Sequence, residues 1–517
     1  MKIIQDHFKK HWPFYILIVL GLYFNFIQLT GLNLERIQGD LGDTRFIMSI
    51  VEYNYQWLIG TYSNYWDGFF MVPDKEVISY SDNLLGTLPF YALYRFFGID
   101  YLSAFQLLLL SSHILNFCFT YIFFTRNGAQ SVSAAIAAYI FTFSIGLVSL
   151  YNHPQYCLRF AIPLFYMMLM NYLQSLSFRY LLFSALALVY QFYLNVYLGY
   201  FLFVTGGVYL FSYLCFNLRS VTLLRKYFID VLKVLPAFLL LYPLFFHYYQ
   251  RNLISGYYNE YAFYMQTIPR LSSYFKAFEG SYVWQFLLST NVYSKFPWLH
   301  TLFPGLYVII AILLGILLAL RKSKMFMIIL LTIILIISFT TYYEGHTLYG
   351  YLMKIPGIKA ARVVSRIILL LIFFAAWLVS LEIDLLITKV NGKKLIISLF
   401  LIAGVLVDNS FKVKSIKTIT QKECTKRVNF LEKKHKAASI ENKSKVIAFL
   451  NADTINCYIH HLDAMLCALK LGKKTINGYS SSCHAKYGEF WRKPNETSLN
   501  SWLTTMNVPK DSVLIIK

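Results

Sequence analysis

The sequence predicts a mainly α-helical, polytopic membrane bundle with a small outward α/β unit at its carboxyl end, and three observations carry that expectation. Charge is scarce: 14% of the 517 residues are charged, 57% are hydrophobic and the mean hydropathy is +0.52. Runs such as Leu110 to Phe124 and Ile328 to Phe339 contain no Asp, Glu, Lys or Arg, and a bilayer core takes roughly 20 apolar residues per helix. From about residue 411 the pattern changes to lysine-rich sequence with short strand-like segments.

Helices are the spanning solution for apolar runs of this length, because every backbone group must be satisfied within the segment. About eleven spans are expected, near 13–32, 101–124, 131–150, 158–174, 180–196, 198–216, 229–248, 302–320, 325–341, 364–386 and 394–408, with a break around Asn195 to Gly199. The first follows a basic start (Lys2, Lys9, Lys10) and reads as a retained anchor rather than a cleaved signal. Alternate short loops carry Arg126; Arg179; Arg219, Arg225 and Lys226; Arg321, Lys322 and Lys324; and Lys389, Lys393 and Lys394. The positive-inside rule puts these loops and the amino terminus on the cytoplasmic side. The opposite side then receives the turn around Asp40, the turn Asn152 to Tyr156, the segments 249–301 and 342–363, and everything from about 411. The net charge of +22 follows from that loop bias and from the stretch Lys412 to Lys445. Next to a membrane such a stretch meets anionic lipid rather than nucleic acid.

Two domains are expected: a bundle over 1–410 with an elaborated outer loop at 33–100, and an outer α/β domain over 411–517. Within the loop, residues 44–59 place Arg45, Ser49, Glu52 and Gln56 on one stripe and Phe46, Ile50, Tyr53 and Trp57 on another. Leu84 to Phe97 reads as a second amphipathic helix, capped by Asp82 or Asn83. Both helices are expected to lie in the interface plane. In the outer domain, Lys445 to Leu450, Thr475 to Tyr479 and Ser512 to Lys517 read as strands and Tyr458 to Leu471 as a helix. Cys118, Cys157 and Cys215 read as packing residues; Cys424, Cys457, Cys467 and Cys483 can form disulfides in an oxidising compartment and match no zinc spacing.

Groups able to act as acid, base or ligand collect on the outer side. The turn Gly39-Asp40-Leu41-Gly42-Asp43-Thr44-Arg45-Phe46 puts two carboxylates beside hydrocarbon, where an unpaired charge is costly without a cation. Asp40 and Asp43 are therefore the candidate catalytic residues, as general base and as ligands for a divalent metal such as Mg²⁺ or Mn²⁺. Asp43 also has an ordinary reading as a helix N-cap, and Asp82 has the same one. His153, in the tight turn His153-Pro154-Gln155, and Arg159 after it face the same side and join Asp82 as additional candidates. Within a span, His113 and Asn116 are expected to satisfy each other or a neighbouring helix. Lys359, Arg362 and Arg366 share a helical face at spacings of three and four, against the positive-inside trend. They are read as a clamp for a lipid-linked phosphate, the plainer reading being snorkelling to head groups. No GxxxxGK[ST], HExxH or CxxC motif occurs, so nothing points to ATP hydrolysis or zinc-protease chemistry.

The segments GDLGDTRF, VEYNYQWL, YSDNLLGTLPFYALYRFFG, NHPQ, PGIKAARVVSR and INGYS, in this order along most of the chain, resemble the GT-C-type integral membrane glycosyltransferases, in particular a bacterial branch. The resemblance implies an inverting transferase that takes a sugar from a polyprenyl-phosphate-linked donor. The acceptor would be a cell-envelope glycan, lipid or protein at the outer face of the inner membrane, with the carboxyl-terminal domain periplasmic. It also implies an essential acidic residue in the first outer loop, which maps onto Asp40 or Asp43. Tyr53-Asn54 departs from a pattern closer to Glu-His-Gly, so that helix is expected to carry structure rather than catalysis. Two competing expectations are a multispan transporter or lipid flippase for envelope precursors, using internal polar groups such as Gln191 and Asn195, and a non-catalytic assembly subunit. Clustering of ionisable groups at one surface rather than at the midplane favours the transferase.

Overall fold

The computed structural model describes residues 2–517 except 219, 256–260, 290–293, 319–322, 354–361, 391, 440–445 and 452–455. Among the described residues, seven helices are long and apolar enough to cross a membrane: Gln5–Thr30, Tyr101–Arg126, Ser131–Val148, Pro154–Ser175, Val196–Asn217, Val221–Leu253 and Val364–Lys389. The other four expected spans fall on shorter helices, Phe178–Leu194, Leu306–Leu318, Lys324–Thr340 and Lys394–Asp408. The expected break is confined to Asn195, which leaves the helical region (φ −164°, ψ 119°) and caps the next helix through Leu198 N. At the centre of the bundle lies Ser131–Phe143, packed against Lys2–Leu22, Tyr101–Arg126 and Ile368–Lys389. Its Ala134, Ala135, Ala137 and Ala138 are fully buried, and such small residues let helix backbones approach closely.

A second apolar core lies at one end of the bundle, with Phe105 and Leu108 of Tyr101–Arg126 among its members. It joins Phe46, Ile50 and Tyr53 of the helix Asp43–Leu58 to Phe69, Phe70 and Met71 of the following loop, and to Ile447, Leu462, Leu466, Trp502 and Leu514 of the carboxyl-terminal segment. There, Val446–Phe449 is the central strand of a three-stranded parallel sheet, flanked by Lys474–Thr475 and Val513–Ile516. The expected strand 475–479 stops at Thr475 because the chain then hydrogen-bonds the outer loop. Thr475 N donates to Phe69 O (2.7 Å) and Val72 N to Thr475 O (3.2 Å). Arg36–Gln38 pairs antiparallel with Thr418–Thr420, joining the two ends of the bundle sequence. None of the seven cysteines is bridged, and Cys215 is exposed rather than packed inside.

The helix Asp43–Leu58 is covered by other chain segments on both faces. Its polar stripe is as buried as its apolar one, because other chain segments cover it. Arg45 binds Asp463, and its Nη2 donates to Ile459 O (3.0 Å); both partners sit on Cys457–Leu471. Glu52 accepts from Tyr91 Oη (2.7 Å) and pairs with Arg95 Nε (3.0 Å), both on Leu88–Phe96. That second helix starts later than expected, and the Asn83 side chain, not Asp82, accepts from the entering turn at Leu85 N (2.9 Å).

Asp463 also accepts from Arg427 Nη2 (2.7 Å). The Arg45 side chain is fully buried, whereas that of Arg427 is 35% exposed. Leaving one member of a buried pair without its partner costs roughly 3–5 kcal/mol. Asp463→Ala is therefore expected to lower the thermal unfolding temperature of the detergent-purified protein strongly, and Arg427→Ala much less. Equal melting of the two variants would refute this ranking.

Candidate active site

The acidic turn is shaped by Gly39, whose φ of +102° suits glycine and whose absent Cβ would sit 1.8 Å from Thr44 Oγ1. Asp40 Oδ1 accepts from Gly42 N (2.9 Å), a side-chain turn that faces the backbone into the helix start. Gly42 occupies the cap position, so Asp43 is not the N-cap but the first residue of Asp43–Leu58. The positive end of the helix favours its negative charge there.

Two groups from distant parts of the chain converge on Asp43. Tyr479 Oη donates to Oδ1 (2.6 Å), and His153 Nδ1 lies 3.2 Å from Oδ2. The two turns are tied together by Thr44 Oγ1, which donates to Asn152 O (3.3 Å). Burial first, and then the Arg366 guanidinium, hold the His153 imidazole below its ordinary pKa, against the pull of Asp40. Desolvation and the neighbouring Asp43 raise that of Tyr479. Neutral His153 and protonated Tyr479 can thus both act as donors to one carboxylate. Asp43 remains 38% exposed, so the site is open to an incoming group.

Arg366 is 5% exposed, stacks on the Tyr156 ring (5.0 Å to the centroid), and has an Nε with no acceptor among the described residues. Arg362 donates from Nη1 to Ser481 O (3.0 Å) and from its backbone N to Tyr197 Oη (3.1 Å). The two do not share a helical face. Thr267 Oγ1 donates to Arg362 O (3.0 Å) and accepts from Val364 N (3.3 Å). The chain therefore stays extended before the 3₁₀ turn Val364–Ile367. Lys359, the third expected member of the clamp, lies outside the described residues.

Asp82 does not cap the helix that follows it in sequence. It holds the start of Val196–Asn217, accepting from Val196 N (3.0 Å) and Asn195 Nδ2 (2.9 Å). Burial raises its pKa to about 6, opposed by the Val196 hydrogen bond, Arg362 and Asn195. Arg159 is buried behind the His153 turn, where its Nη2 donates to Thr142 O (3.3 Å). Asn116 donates to Cys157 O (2.8 Å), and His113 faces Cys157 Sγ (3.8 Å), so neither satisfies the other. The helix with Tyr53-Asn54 is structural at these positions: Tyr53 Oη donates to Tyr65 O (2.7 Å) and Asn54 Nδ2 to Asn83 O (2.8 Å).

Sequence reasoning overlooked the segment Tyr479–Ser482, which roofs the site from the carboxyl-terminal unit. Tyr479 reaches Asp43, Ser481 O reaches Arg362, and Ser481 Oγ donates to Tyr80 O. The only signal was the INGYS motif, 436 residues away from Asp43 in its Tyr479 contact. Among the described residues, no group of three His, Cys, Asp or Glu side chains is disposed to hold a metal ion. Asp40 and Asp43 offer oxygen donors of the kind that hard divalent cations take.

No protein-family model matches the chain, and no curated protein matches it in sequence. Solved structures match it in fold. The Archaeoglobus fulgidus oligosaccharyltransferase in the apo form is 12% identical with a TM-score of 0.55, covering 97% of this chain and 69% of that one. The archaeal oligosaccharyltransferase AglB from the same organism, in complex with an inhibitory peptide and a dolichol-phosphate, is 11% identical with a TM-score of 0.52 and the same coverage. ArnT from Cupriavidus metallidurans in the apo state, 12% identical, covers 89% of this chain and 71% of its own at a TM-score of 0.38. By its architecture this chain has the fold of the GT-C-type integral membrane glycosyltransferases.

Proposed function

We propose that this protein is an inverting glycosyltransferase that moves a sugar from a polyprenyl-phosphate-linked donor to a cell-envelope acceptor at the outer face of the membrane. The observation that carries the reading is the meeting of Asp43, His153 and Tyr479 beside the Arg366 guanidinium. AglB, similar in fold, is known with a dolichol-phosphate and a peptide bound, which supports a lipid-phosphate donor and a separate acceptor. The acceptor hydroxyl would lose its proton to Asp40 as its oxygen bonds to the anomeric carbon. The carbon–oxygen bond to the lipid phosphate would break, leaving its electron pair on the phosphate. Asp43 would steady the arriving hydroxyl, and Arg362 and Arg366 would neutralise the charge that develops on the leaving phosphate. In the alternative, Asp40 and Asp43 would instead supply two ligands to Mg²⁺ or Mn²⁺, whose charge when bound would acidify the acceptor hydroxyl in place of a free base.

The transporter reading has less support. Gln191 Nε2 donates to Leu158 O (2.9 Å) and Asn195 serves as a helix cap and holds Asp82. These are structural duties rather than a midplane substrate site.

Transfer of labelled sugar in isolated membranes tests the assignment. Loss of a positioned base is worth about 10²–10⁴-fold, so Asp40→Ala and Asp43→Ala are each expected to lose at least about 100-fold at normal protein level. If both retain wild-type transfer, the reading is wrong. Arg366→Met is expected to fall by a similar factor. Tyr479→Phe, which removes one hydrogen bond to a charged group, should fall only about tenfold.

The proposed orientation places the amino terminus in the cytoplasm of a bacterial cell and the carboxyl-terminal unit in the periplasm. An alkaline phosphatase fused after Lys517 should be active and one fused after Arg126 inactive; the reverse pattern would invert the topology and move the site inside.

A further inference from the structure

The helix Gln421–Ala438 turns its apolar side to the protein, burying Cys424, Val428, Leu431 and His435. Its opposite side is a basic stripe. At about 100° per residue, Lys422, Lys426 and Lys433 fall within roughly 40° of one another around the axis, with Thr425 and Asn429 beside them. All three lysines are exposed, and none of the ion pairs among the described residues includes them. The acids of the helix leave the stripe uncompensated. Glu432 is engaged by Lys436 (3.0 Å) and Lys470 (2.7 Å), and Glu423 pairs with no base among the described residues. Like charges four residues apart repel along a helix, so Lys422 and Lys426 stand together at a small cost that a bound anion removes.

The shape of the stripe decides what fits. It is narrow, and from Lys422 to Lys433 it rises roughly 16 Å. Gln421 Nε2 fixes its start on the outer end of Tyr101–Arg126, donating to Ser103 Oγ (3.2 Å) and Gln106 Oε1 (3.3 Å). A helix that lies on lipid sinks its apolar side into the head-group layer and flanks it with lysine. Here that side is already spent, because Val428 and Leu431 share a core with Leu462 and Leu466. Phe430 is the one large apolar side chain that the helix leaves at the surface, 59% exposed on the flank of the stripe, with Lys434 Nζ 4.9 Å from its ring centroid. The negative face of an aromatic ring meets the C–H bonds of a sugar favourably, and lysines meet anionic groups spaced along a chain as point charges.

We propose that the exposed face of Gln421–Ala438 binds an acidic polysaccharide, laid along Lys422, Lys426, Phe430 and Lys433. The choice of a glycan rests on the outer-face orientation proposed above. The binding itself is independent of which sugar the protein transfers, so it stands or falls separately from the transfer reaction.

Binding to the full-length, detergent-purified protein tests it. Fluorescent polygalacturonate at low salt should bind, and neutral dextran of the same length should not; no binding of polygalacturonate, or equal binding of both, overturns the proposal. Three exposed charge contacts of ordinary strength amount to about tenfold. The combined variant Lys422→Gln, Lys426→Gln, Lys433→Gln is therefore expected to weaken binding about tenfold. The charge-matched variant Lys486→Gln, Lys493→Gln, Lys510→Gln should bind as the wild type does, and equal weakening in the two refutes the placement. Should the first combination fail to fold, Lys426→Gln alone is expected to weaken binding about twofold, and an unchanged constant counts against the face. Phe430→Ala should weaken polygalacturonate binding about threefold and leave polyglutamate binding unchanged. If both polymers or neither respond, the face reads charge alone and the glycan assignment falls. Phosphatidylglycerol added to the micelles at equal charge should not displace the polymer; full displacement makes the face a lipid contact and overturns the proposal.

Discussion

The outer half of the molecule is organised around the buried ion pair of Arg45 with Asp463. A guanidinium with no exposed surface is tolerated only when its charge is matched and its N–H groups are satisfied. Here Nε donates to Leu41 O, Nη2 to Ile459 O and Nη1 to Asp463. Arg45 stands two residues after Asp43. Asp463 sits on the helix that leads, through the strand Lys474–Thr475, to Tyr479. Both contacts join the same two chain segments, so the Arg45–Asp463 pair helps to hold Tyr479 against Asp43. The same pair explains why the helix Asp43–Leu58, amphipathic in sequence, is covered on both faces.

The two cores of the protein obey different physics and meet at this site. The bundle core rests on close approach of small residues and interlocking aromatics, since lipid tails offer no hydrophobic drive between helices. The outer core gathers large side chains such as Trp502, Tyr53 and Phe69 away from water, as a soluble domain does. The loop 33–100 and the segment after 411 contribute to one outer core rather than to two. The carboxyl-terminal unit is consequently part of the wall of the site: backbone hydrogen bonds from Thr475 and Val72 and the bond from Trp502 Nε1 to Val72 O (3.1 Å) hold it there.

Much of this was legible in the sequence because it follows from local pattern. Uncharged runs located the bundle, short strand-like segments located Val446–Phe449 and Val513–Ile516, and two carboxylates in a glycine turn singled out the segment that His153 and Tyr479 meet. The errors came where distant chain overrides local pattern. Asp82 reads as a cap for its own following helix but serves a helix more than a hundred residues on. Arg362 and Arg366 read as one helical face, yet the Thr267 hydroxyl engages the backbone between them and keeps it extended. Tyr479 carries no local mark beyond the INGYS segment, because its partner is brought to it only by tertiary packing.

The arrangement of the two arginines bears on how a charged substrate would be received. Arg366 is braced against the Tyr156 ring, and Arg362 is held by Ser481 O and Tyr197. On the proposed function, neither would have to find its place when a phosphate arrived. Donors that are already oriented stabilise developing charge without reorganising at that moment, which is where electrostatic catalysis gains most. Their supports differ: one is the outer turn that also presents His153, the other the roof that also presents Tyr479. On the proposed function, donor and acceptor sides of the site are thereby coupled through shared backbone. A shift of the segment Tyr479–Ser482 would move a contact of the acid and a contact of the phosphate clamp together, and so would disturb both substrates at once.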